Sequence, residues 1–293
     1  MTTFLVTGAT GNMGQSLIGF LLEKEANVKV IAAVRDVVKV KKTYGSLKNL
    51  DFRQFDFKDS TSFSDALAGV DTVFLLRPPQ ISKIDAYFKP LLKAISKSTV
   101  RQLLFLSVQG AEQSSMIPHH KIESLVKTYR IPYVFLRPSY FMQNLTTTLY
   151  KDIVTKRKII LPAGKAKFNW VDVSNIAEVA AHILLNFNTF KNKAYEITGP
   201  DNLSFEHAVA IINRYVKHPL VYKKVNPLSF FLIKKKEGMA TGFILVMLVL
   251  HFLPRFQKAP RVSTFYSDLL GKAPTTLDAF VKREKSCFEK ETL

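Results

Sequence analysis

Cysteine is nearly absent from this 293-residue sequence, and acidic residues are scarce. The single cysteine, Cys287, excludes an intramolecular disulfide, a paired-cysteine redox motif and any zinc or iron–sulfur site built from several cysteines. This low cysteine content is typical of a reducing compartment, so we expect a cytoplasmic location. With 47% hydrophobic and 22% charged residues, the sequence is also too apolar for a disordered or fibrous chain.

The charge balance is strongly one-sided, because 42 lysine and arginine residues stand against 23 acidic ones and give a formal net charge of +19. Such a surplus attracts anions, which leaves open a phosphorylated cofactor, a nucleic acid and an acidic membrane surface. The basic residues are spread along the chain, with no helix-turn-helix, RNA-binding or zinc-finger signature. We therefore expect no specific nucleic-acid partner.

Long apolar runs are also missing from the sequence. The one candidate, Gly242–Leu253, has about 12 residues where a membrane-spanning helix needs roughly 20, and the charged segment 234–237 lies just upstream. We interpret this run as a buried or cleft-lining helix and expect no membrane partner. The first residues lead directly into a β-branched segment without a positively charged leader, so we expect no export.

Short apolar segments alternate with amphipathic ones over the first two thirds of the sequence. Predicted strands include Val28–Val34 and Thr72–Leu76, and predicted helices include Met13–Lys24 and Ile84–Ser96. Strands that are apolar throughout are typical of a parallel sheet covered on both faces, and right-handed crossovers make such a sheet doubly wound. The predicted class is α/β, with a Rossmann-type doubly wound parallel sheet and a smaller, mainly helical C-terminal domain.

The regular alternation declines after the sixth predicted strand, Tyr133–Leu136. We expect a dinucleotide-binding domain over residues 1–145, which the chain rejoins at about 168–187. Residues 146–167 and 188–293 are expected to form the smaller domain, since the late part of the sequence has a mostly helical pattern that proline repeatedly interrupts.

Three glycines, each three residues from the next, stand between the first predicted strand and the first predicted helix. Gly8 permits a tight turn, Gly11 lets the backbone approach a pyrophosphate, and Gly14 allows close packing of helix on strand. The N–H groups at the positive end of the helix then hold phosphates. A plain glycine turn is the alternative, but the position of the motif favours dinucleotide binding. The predicted cofactor-binding residues of this segment are Gly8, Thr10, Gly11, Asn12, Met13 and Gly14.

Arg35 ends the second predicted strand, 21 positions after the last of these glycines. An NAD-selective site carries an acid near this position, whereas an arginine binds a 2′-phosphate with two hydrogen bonds, so the sequence favours NADP(H) over NAD(H). The adjacent Asp36 leaves both choices open, since it can pair with a lysine or bind a ribose. The lysines within Lys39–Lys42 add positive charge, although a solvated basic loop explains them as well.

Residues after the third and fourth predicted strands extend the expected site, since open α/β sheets bind ligands at the carboxyl ends of their strands. Asp56 can accept a hydrogen bond from an adenine amino group or cap a turn. Arg77 is either a cofactor ligand or a surface cation. The predicted cofactor-binding residues here are Asp56, Phe57, Leu76 and Arg77.

A family resemblance rests on nine segments in chain order: TGATGNMG, AAVRD, FDFKD, GVDTVFLLRPP, FLSVQGAE, IPHHKIE, IPYVFLRPSYFMQNL, WVDVSNIAEVAA and YEITGP. With these segments the sequence resembles the NmrA-like group of atypical short-chain dehydrogenases/reductases over residues 3 to about 210. The resemblance implies an NAD(P)-binding Rossmann domain with a smaller C-terminal domain that closes a substrate cleft. It also implies either a quinone-type or related reductase or a non-catalytic redox sensor that acts on transcription regulators.

The resemblance assigns the position of a catalytic lysine. Ordinary short-chain dehydrogenases use a Tyr-x-x-x-Lys pair, and Lys121 matches the lysine, whereas Ile117 stands where the tyrosine would be. Lys121 is therefore expected to bind the nicotinamide ribose first and to assist proton transfer second. An unperturbed histidine suits proton donation at neutral pH, but a surface or helix-start role explains either His119 or His120.

Further residues match the expected nicotinamide position. Ser107, after the fifth predicted strand, corresponds to a cofactor-contacting residue, and Pro138, Tyr140 and Phe141 follow the sixth strand. Tyr140, a second catalytic candidate, and Phe141 can stack on a flat acceptor, but core packing explains both rings equally well.

The expected function is an NADPH-dependent oxidoreductase that passes hydride to a quinone or a similar conjugated acceptor. A quinone takes its proton from water, so the missing tyrosine matters less than it would for a ketone. The alternative is a non-catalytic NAD(P)-binding redox sensor that regulates a protein or transcription partner, which the missing tyrosine and the positive charge favour. Expected partners are a small-molecule acceptor or a regulator protein, the expected state is a monomer or homodimer, and no ligand spacing indicates a metal.

Overall fold

The computed structural model describes residues 1–25, 27–44 and 47–289. The strands in this part of the chain are β1 (Thr2–Val6), β2 (Val28–Val34), β3 (Leu50–Gln54), β4 (Thr72–Leu76), β5 (Gln102–Leu106), β6 (Tyr133–Pro138), β7 (Tyr140–Phe141), β8 (Lys158–Leu161), β9 (Lys167–Val171), β10 (Lys193–Ile197), β11 (Asn202–Ser204) and β12 (Val221–Lys224).

The helices follow the same chain order. They are α1 (Asn12–Lys24), α2 (Val37–Tyr44), α3 (Ser62–Leu67), α4 (Ile84–Ser96), α5 (Pro118–Thr128), α6 (Tyr150–Lys156), α7 (Val173–Leu185), α8 (Phe187–Phe190), α9 (Phe205–Asn213), α10 (Pro227–Lys236), α11 (Thr241–Phe252), α12 (Phe265–Leu270), α13 (Leu277–Arg283) and α14 (Lys285–Glu289). Short 3₁₀ turns cover Ala111–Gln113, Met142–Leu145 and Leu253–Phe256.

The chain divides into two compact units. The first comprises residues 1–138 and 176–197, and the second comprises residues 139–175 and the described residues from 198 onward. This division differs from the expected one, because the first unit ends before residue 145 and includes residues 188–197. The last four residues of the predicted smaller domain, and residues 26, 45 and 46 of the first, lie outside the described residues.

The first unit is built on a seven-stranded parallel sheet with the order β10-β6-β5-β4-β1-β2-β3. Its central strands are buried along most of their length because helices cover both faces, which explains why every residue of Val28–Val34 except Lys29 is apolar. The strand order changes direction at β1, where Val6 pairs with Ala32 of β2 and with Phe74 of β4. Open sheets bind ligands beside such a switch point, at the carboxyl ends of the strands. The predicted Rossmann-type α/β fold is confirmed.

Two helices of the first unit, α2 and the short α8, were not predicted. The lysines within Lys39–Lys42 lie on α2 rather than in a basic loop, and Lys39, Lys41 and Lys42 are exposed there. The Asp36 carboxylate starts this helix by accepting a hydrogen bond from the Lys39 N–H at 2.9 Å. A solvated basic loop is therefore the wrong description, since the lysines form the exposed face of a capped helix.

The second unit contains several short strands, of which the sequence pattern predicts only one: the expected strand Asn169–Val173 corresponds to β9, two residues earlier in the chain. A three-stranded sheet has the order β11-β9-β7, and β8 pairs with β12 in a separate parallel ladder. Helices surround these strands, and the core of the unit includes the buried rings of Trp170, Phe205, Phe230 and Phe280. The unit is mainly helical, as predicted, but its helices pack on two small sheets.

Helix α11 coincides with the predicted apolar helix, but only one of its sides is buried. Ile244, Met247 and His251 lie in the core of the second unit, whereas Leu245 and Val249 are 52% and 59% exposed. Within the described residues, none of the helices has the length and apolar character needed to cross a bilayer.

Gly199 provides a test of the packing in the second unit. A Cβ atom added to Gly199 would lie 1.6 Å from the Trp170 carbonyl oxygen, whereas a Cβ on Gly242 of α11 would meet no atom within 4 Å. We expect Gly199→Ala to lower the free energy of unfolding by about 3 kcal/mol, because backbone must move. Gly242→Ala should leave it unchanged or raise it by less than about 1 kcal/mol.

Urea denaturation followed by tryptophan fluorescence measures this difference directly, because Trp170 is the only tryptophan and lies in the same unit. Equal stabilities for the two alanine variants would contradict the described packing of residue 199 against β9.

Candidate functional site

The glycine motif forms a turn that joins β1 to α1 at the carboxyl edge of the sheet. Gly8 has a φ of +65°, a left-handed conformation that favours glycine. A Cβ on Gly14 would lie 2.3 Å from the Gly8 carbonyl oxygen and 2.6 Å from the Ala9 Cα. Both glycines are therefore required by the backbone path, and α1 begins directly against the end of β1.

Gly11 has a different role in the same turn. Its N–H donates to the Gly8 carbonyl at 3.0 Å, and a Cβ on it would have only that oxygen nearby, at 3.4 Å. Thr10 and Asn12 are exposed beside it, whereas the Met13 side chain is buried. In the described part of the chain, no side chain caps α1, and its first turn carries no acidic residue. The positive end of α1 is therefore suited to an anion.

Thr7 links this turn to β4 by hydrogen bonds, a role that was not predicted from the sequence. Its buried hydroxyl donates to the Phe74 carbonyl at 3.1 Å and accepts from the Leu76 N–H at 2.8 Å. The Leu76 side chain in turn packs beside Gly8, because a Cβ there would lie 3.2 Å from a Leu76 methyl group. The threonine directly before the first glycine was the available sequence signal.

Arg35 follows β2 at the same edge, and its side chain is exposed. The Asp36 carboxylate caps α2 by accepting the backbone N–H of Lys39, a role that differs from both the lysine pairing and the ribose binding left open for it. Arg35 is thus the charged side chain at the end of β2 that does not serve as the helix cap.

Asp56 and Phe57, the two predicted cofactor-binding residues after β3, differ in which of their groups a ligand can reach. The Asp56 carboxylate accepts the Lys58 N–H at 2.9 Å, so it caps a turn, which was the alternative to adenine binding. Phe57 is buried in the core, with its ring 4.9 Å from that of Phe55 and 5.1 Å from that of Phe88. Phe57 can therefore offer a ligand its backbone only.

The Arg77 side chain stabilises the loop after β4 by hydrogen bonds. It is therefore neither a solvated surface cation nor a guanidinium that is directed at a cofactor. Its guanidinium donates to the carbonyl oxygens of Pro78 and Ile81 at 3.3 and 2.6 Å, and its Nε donates to His119 Nε2 at 3.4 Å. Burial, followed by the nearby arginine charge, lowers the pKa of His119 to about 3. His119 is consequently neutral at pH 7 and stacks on Phe105, which excludes it as a proton donor.

His120 also has a structural partner, because its Nδ1 lies 2.9 Å from the Ala111 carbonyl oxygen. A carbonyl only accepts hydrogen bonds, so Nδ1 carries the proton and donates it there. Both histidines therefore support the start of α5, as the structural interpretation predicted.

A buried polar network lies at the ends of β5 and β6. The Ser107 hydroxyl donates to Glu123 Oε1 at 2.6 Å, and Arg137 donates two hydrogen bonds to the same carboxylate at 3.0 and 2.6 Å. Arg137 also pairs with Glu112 at 2.7 Å. The single proton of the Ser107 hydroxyl is used within the protein, so this hydroxyl can only accept a hydrogen bond from a ligand. Glu123 could not be predicted from the sequence, because its partners Ser107 and Arg137 come from separate elements.

Lys121 and Pro138 are the remaining predicted cofactor-binding residues of the first unit. The Lys121 ammonium forms an exposed ion pair with Asp85 at the start of α4. The Pro138 carbonyl closes the end of β6 by accepting the Gln109 N–H at 2.9 Å. An exposed ion pair of this kind contributes little stability, so Lys121 can exchange its partner at small cost.

Tyr140 and Phe141 lie in the second unit, where they form β7. The Tyr140 ring is buried among aromatic side chains, and its hydroxyl lies 3.0 Å from His251 Nε2. His251 Nδ1 lies 2.7 Å from the Met247 carbonyl, so Nδ1 donates there and Nε2 accepts from Tyr140. Burial raises the pKa of Tyr140 and lowers that of His251 to about 4. Tyr140 thus has the core-packing role that was the alternative to acceptor stacking, while Phe141 is half-buried.

Comparison with known proteins agrees with this architecture. The chain is 26% identical to prestalk A differentiation protein A of Dictyostelium discoideum over 280 residues, which cover 96% of this chain and 91% of the relative. Triphenylmethane reductase of Citrobacter sp., solved with NADP(H), has a TM-score of 0.80 at 22% identity, with 96% and 99% of the two chains covered. NADPH-dependent quinone oxidoreductase of Escherichia coli, solved with NADPH, has a TM-score of 0.81 at 21% identity, with 96% and 99% covered.

The two solved structures show a shared fold at low sequence identity. The family is given by a separate match, since the model of the NmrA-like family matches residues 1–257. This match includes the glycine motif, the strand ends described above and most of the second unit. The chain therefore belongs to the NmrA-like family.

Proposed function

We propose that this protein is an NADPH-dependent oxidoreductase that reduces a quinone or a similar conjugated acceptor. The observation that carries the proposal is the glycine turn: Gly8 and Gly14 have no room for a side chain, and α1 begins there without a side-chain cap among the described residues. This arrangement fits a dinucleotide pyrophosphate. The Citrobacter and Escherichia coli neighbours, solved with NADP(H) and NADPH, support the same cofactor.

The residues at the strand ends divide the binding of the cofactor between them. We assign the pyrophosphate to the backbone of residues 8–14 and the 2′-phosphate to Arg35, because Asp36 already caps α2. Asp56, Leu76 and the backbone of residue 57 border the adenine half. On the nicotinamide half, Ser107 accepts a hydrogen bond and Lys121 donates one to the ribose.

Bound NADPH supplies the hydride, and the protein supplies orientation and a dry site. Ile117 stands at the position of the usual catalytic tyrosine, His119 is neutral, and Tyr140 is committed to His251. None of these side chains is placed to protonate a ketone. The arrangement therefore favours an acceptor such as a quinone, which takes its proton from water.

A cofactor-binding regulator is the second candidate, and one observation favours it. The tyrosine of the usual proton relay is missing, because Ile117 stands at its position. A protein of this kind would bind NADPH without turnover.

Charge reversal at Arg35 tests the 2′-phosphate assignment. We expect Arg35→Glu to weaken NADPH binding about 100-fold and NADH binding by less than about threefold, because only NADPH has the phosphate that loses a charged hydrogen bond and gains repulsion. Lys97→Glu, at an exposed position after α4, is the matched control for net charge and should change neither affinity. Equal losses for the two cofactors would refute the assignment. The affinities are measured by fluorescence titration.

Steady-state NADPH oxidation with simple quinones tests turnover, and Lys121→Met tests the ribose contact. We expect the wild-type protein to oxidise NADPH and Lys121→Met to raise the KM for NADPH about tenfold, the cost of one charged hydrogen bond. Asp85→Asn removes the ion-pair partner but keeps the lysine, so its KM should equal or fall below that of the wild type.

NADPH binding without oxidation across several quinones would replace the reductase with the regulator. An unchanged KM in Lys121→Met, with turnover intact, would remove Lys121 from the cofactor site while leaving the reductase assignment in place.

A further inference from the structure

The exposed side of α11 is apolar from Leu245 to the end of the helix. Its exposed side chains are Leu245, Val246, Val249 and Leu250, and the pattern continues into Leu253 of the following 3₁₀ turn. At 100° per residue these five side chains span an arc of about 140°, opposite the buried side of the helix. We call these five residues the α11 face. Exposed apolar groups that form one continuous stripe mark an interaction surface.

Positive charge stands at both ends of the α11 face. The Lys235 ammonium donates to the Thr241 hydroxyl at 2.9 Å, at the first residue of α11. At the other end, the Arg255 guanidinium lies 5.2 Å from the ring centre of Phe252, the last residue of α11. Lys236 and Lys258 are exposed on the same two flanks.

Negative charge is almost absent from this part of the chain. Residues 227–262 contain six lysine or arginine residues and one acidic residue, Glu237. Its carboxylate is held by Lys156 and Lys234, so it does not offset the flanking cations. The surface thus combines an aliphatic stripe with cations at each end.

We propose that the α11 face docks this protein on an anionic lipid bilayer. The 12-residue helix is about 18 Å long, which is too short to span a membrane but suited to lying in the interface. Aliphatic side chains enter the acyl boundary, while the flanking lysine and arginine side chains contact lipid phosphates and carboxylates. The expectation of no membrane partner rested on the length of this segment, which excludes spanning and does not address surface binding.

A second copy of the chain fits the α11 face less well. Packing two such faces about a twofold axis would bring the cations around Lys235 and Arg255 of one chain near the same cations of the other. A protein partner also fits less well, because no side chain between Thr241 and His251 offers a hydrogen bond. A bilayer needs no directed hydrogen bonds at this depth.

Vesicle co-sedimentation of the full chain tests the proposal. We expect binding to vesicles of phosphatidylcholine with 30% phosphatidylserine to be at least about tenfold stronger than to pure phosphatidylcholine, and to weaken as salt is raised. The double variant Leu245→Asp, Val249→Asp should weaken binding at least about tenfold, because aspartate does not enter the acyl boundary. The control pair Val38→Asp, Met116→Asp alters exposed apolar residues of the first unit and should bind as the wild type does.

A second pair of variants separates the local cations from the overall charge of the chain. The double variant Lys236→Glu, Lys258→Glu should weaken vesicle binding about fivefold for each lysine that is lost. The double variant Lys93→Glu, Lys97→Glu alters exposed lysines on and directly after α4 and should have little effect. Equal weakening by the two pairs would overturn the proposal, because attraction would then depend on net charge alone.

Three other results would also overturn it. The first is no sedimentation with either vesicle. The second is a wild-type dimer that the Leu245→Asp, Val249→Asp variant converts to a monomer, which would assign the α11 face to a second copy. The third is a higher KM for a water-soluble quinone in that variant without vesicles, which would assign the face to the substrate site. Circular dichroism confirms that the compared variants are folded.

Discussion

The contact between Gly14 and the backbone of Gly8 is the constraint on which the described site depends. A Cβ at residue 14 would overlap the Gly8 carbonyl oxygen. Because glycine has no Cβ, α1 can begin close to the end of β1. The positive end of the helix then lies at the switch point of the sheet, beside the end of β4. Thr7 holds this geometry by bonding both to Phe74 and to Leu76. The other assigned residues Arg35, Asp56 and Ser107 follow other strands of the same parallel sheet.

The sequence predicted most of the first unit because its signals are local. Val28–Val34, Thr72–Leu76 and Ile84–Ser96 have the predicted bounds, since buried parallel strands and amphipathic helices each have their own period. Helix α2 was missed because a short basic segment has the composition of a loop, and its start depends on one hydrogen bond from Asp36. Of the short strands of the second unit, only β9 was predicted, because the two to four residues of the others carry too little periodicity.

The site was harder to predict than the fold, because side-chain roles depend on partners that are distant in sequence. Arg77 follows a strand as a ligand would, yet it bonds the next loop and His119. Tyr140 follows β6 as an acceptor-stacking ring would, yet it is buried against a histidine 111 positions away. Glu123 was not predicted for the same reason, although it accepts the one proton of the Ser107 hydroxyl and so leaves Ser107 able only to accept a hydrogen bond from a ligand. The glycine motif was predictable because its requirement is a property of the backbone itself.

The most direct test of the proposed NADPH site at the carboxyl edge of the sheet is a fluorescence titration of the wild-type protein with NADPH and, separately, with NADH. We expect saturable binding of one NADPH per chain, at least about tenfold tighter than that of NADH, because one charged contact to the 2′-phosphate distinguishes the two cofactors. No saturable binding of either cofactor would contradict the assignment of the glycine turn to a dinucleotide, and with it the proposed function.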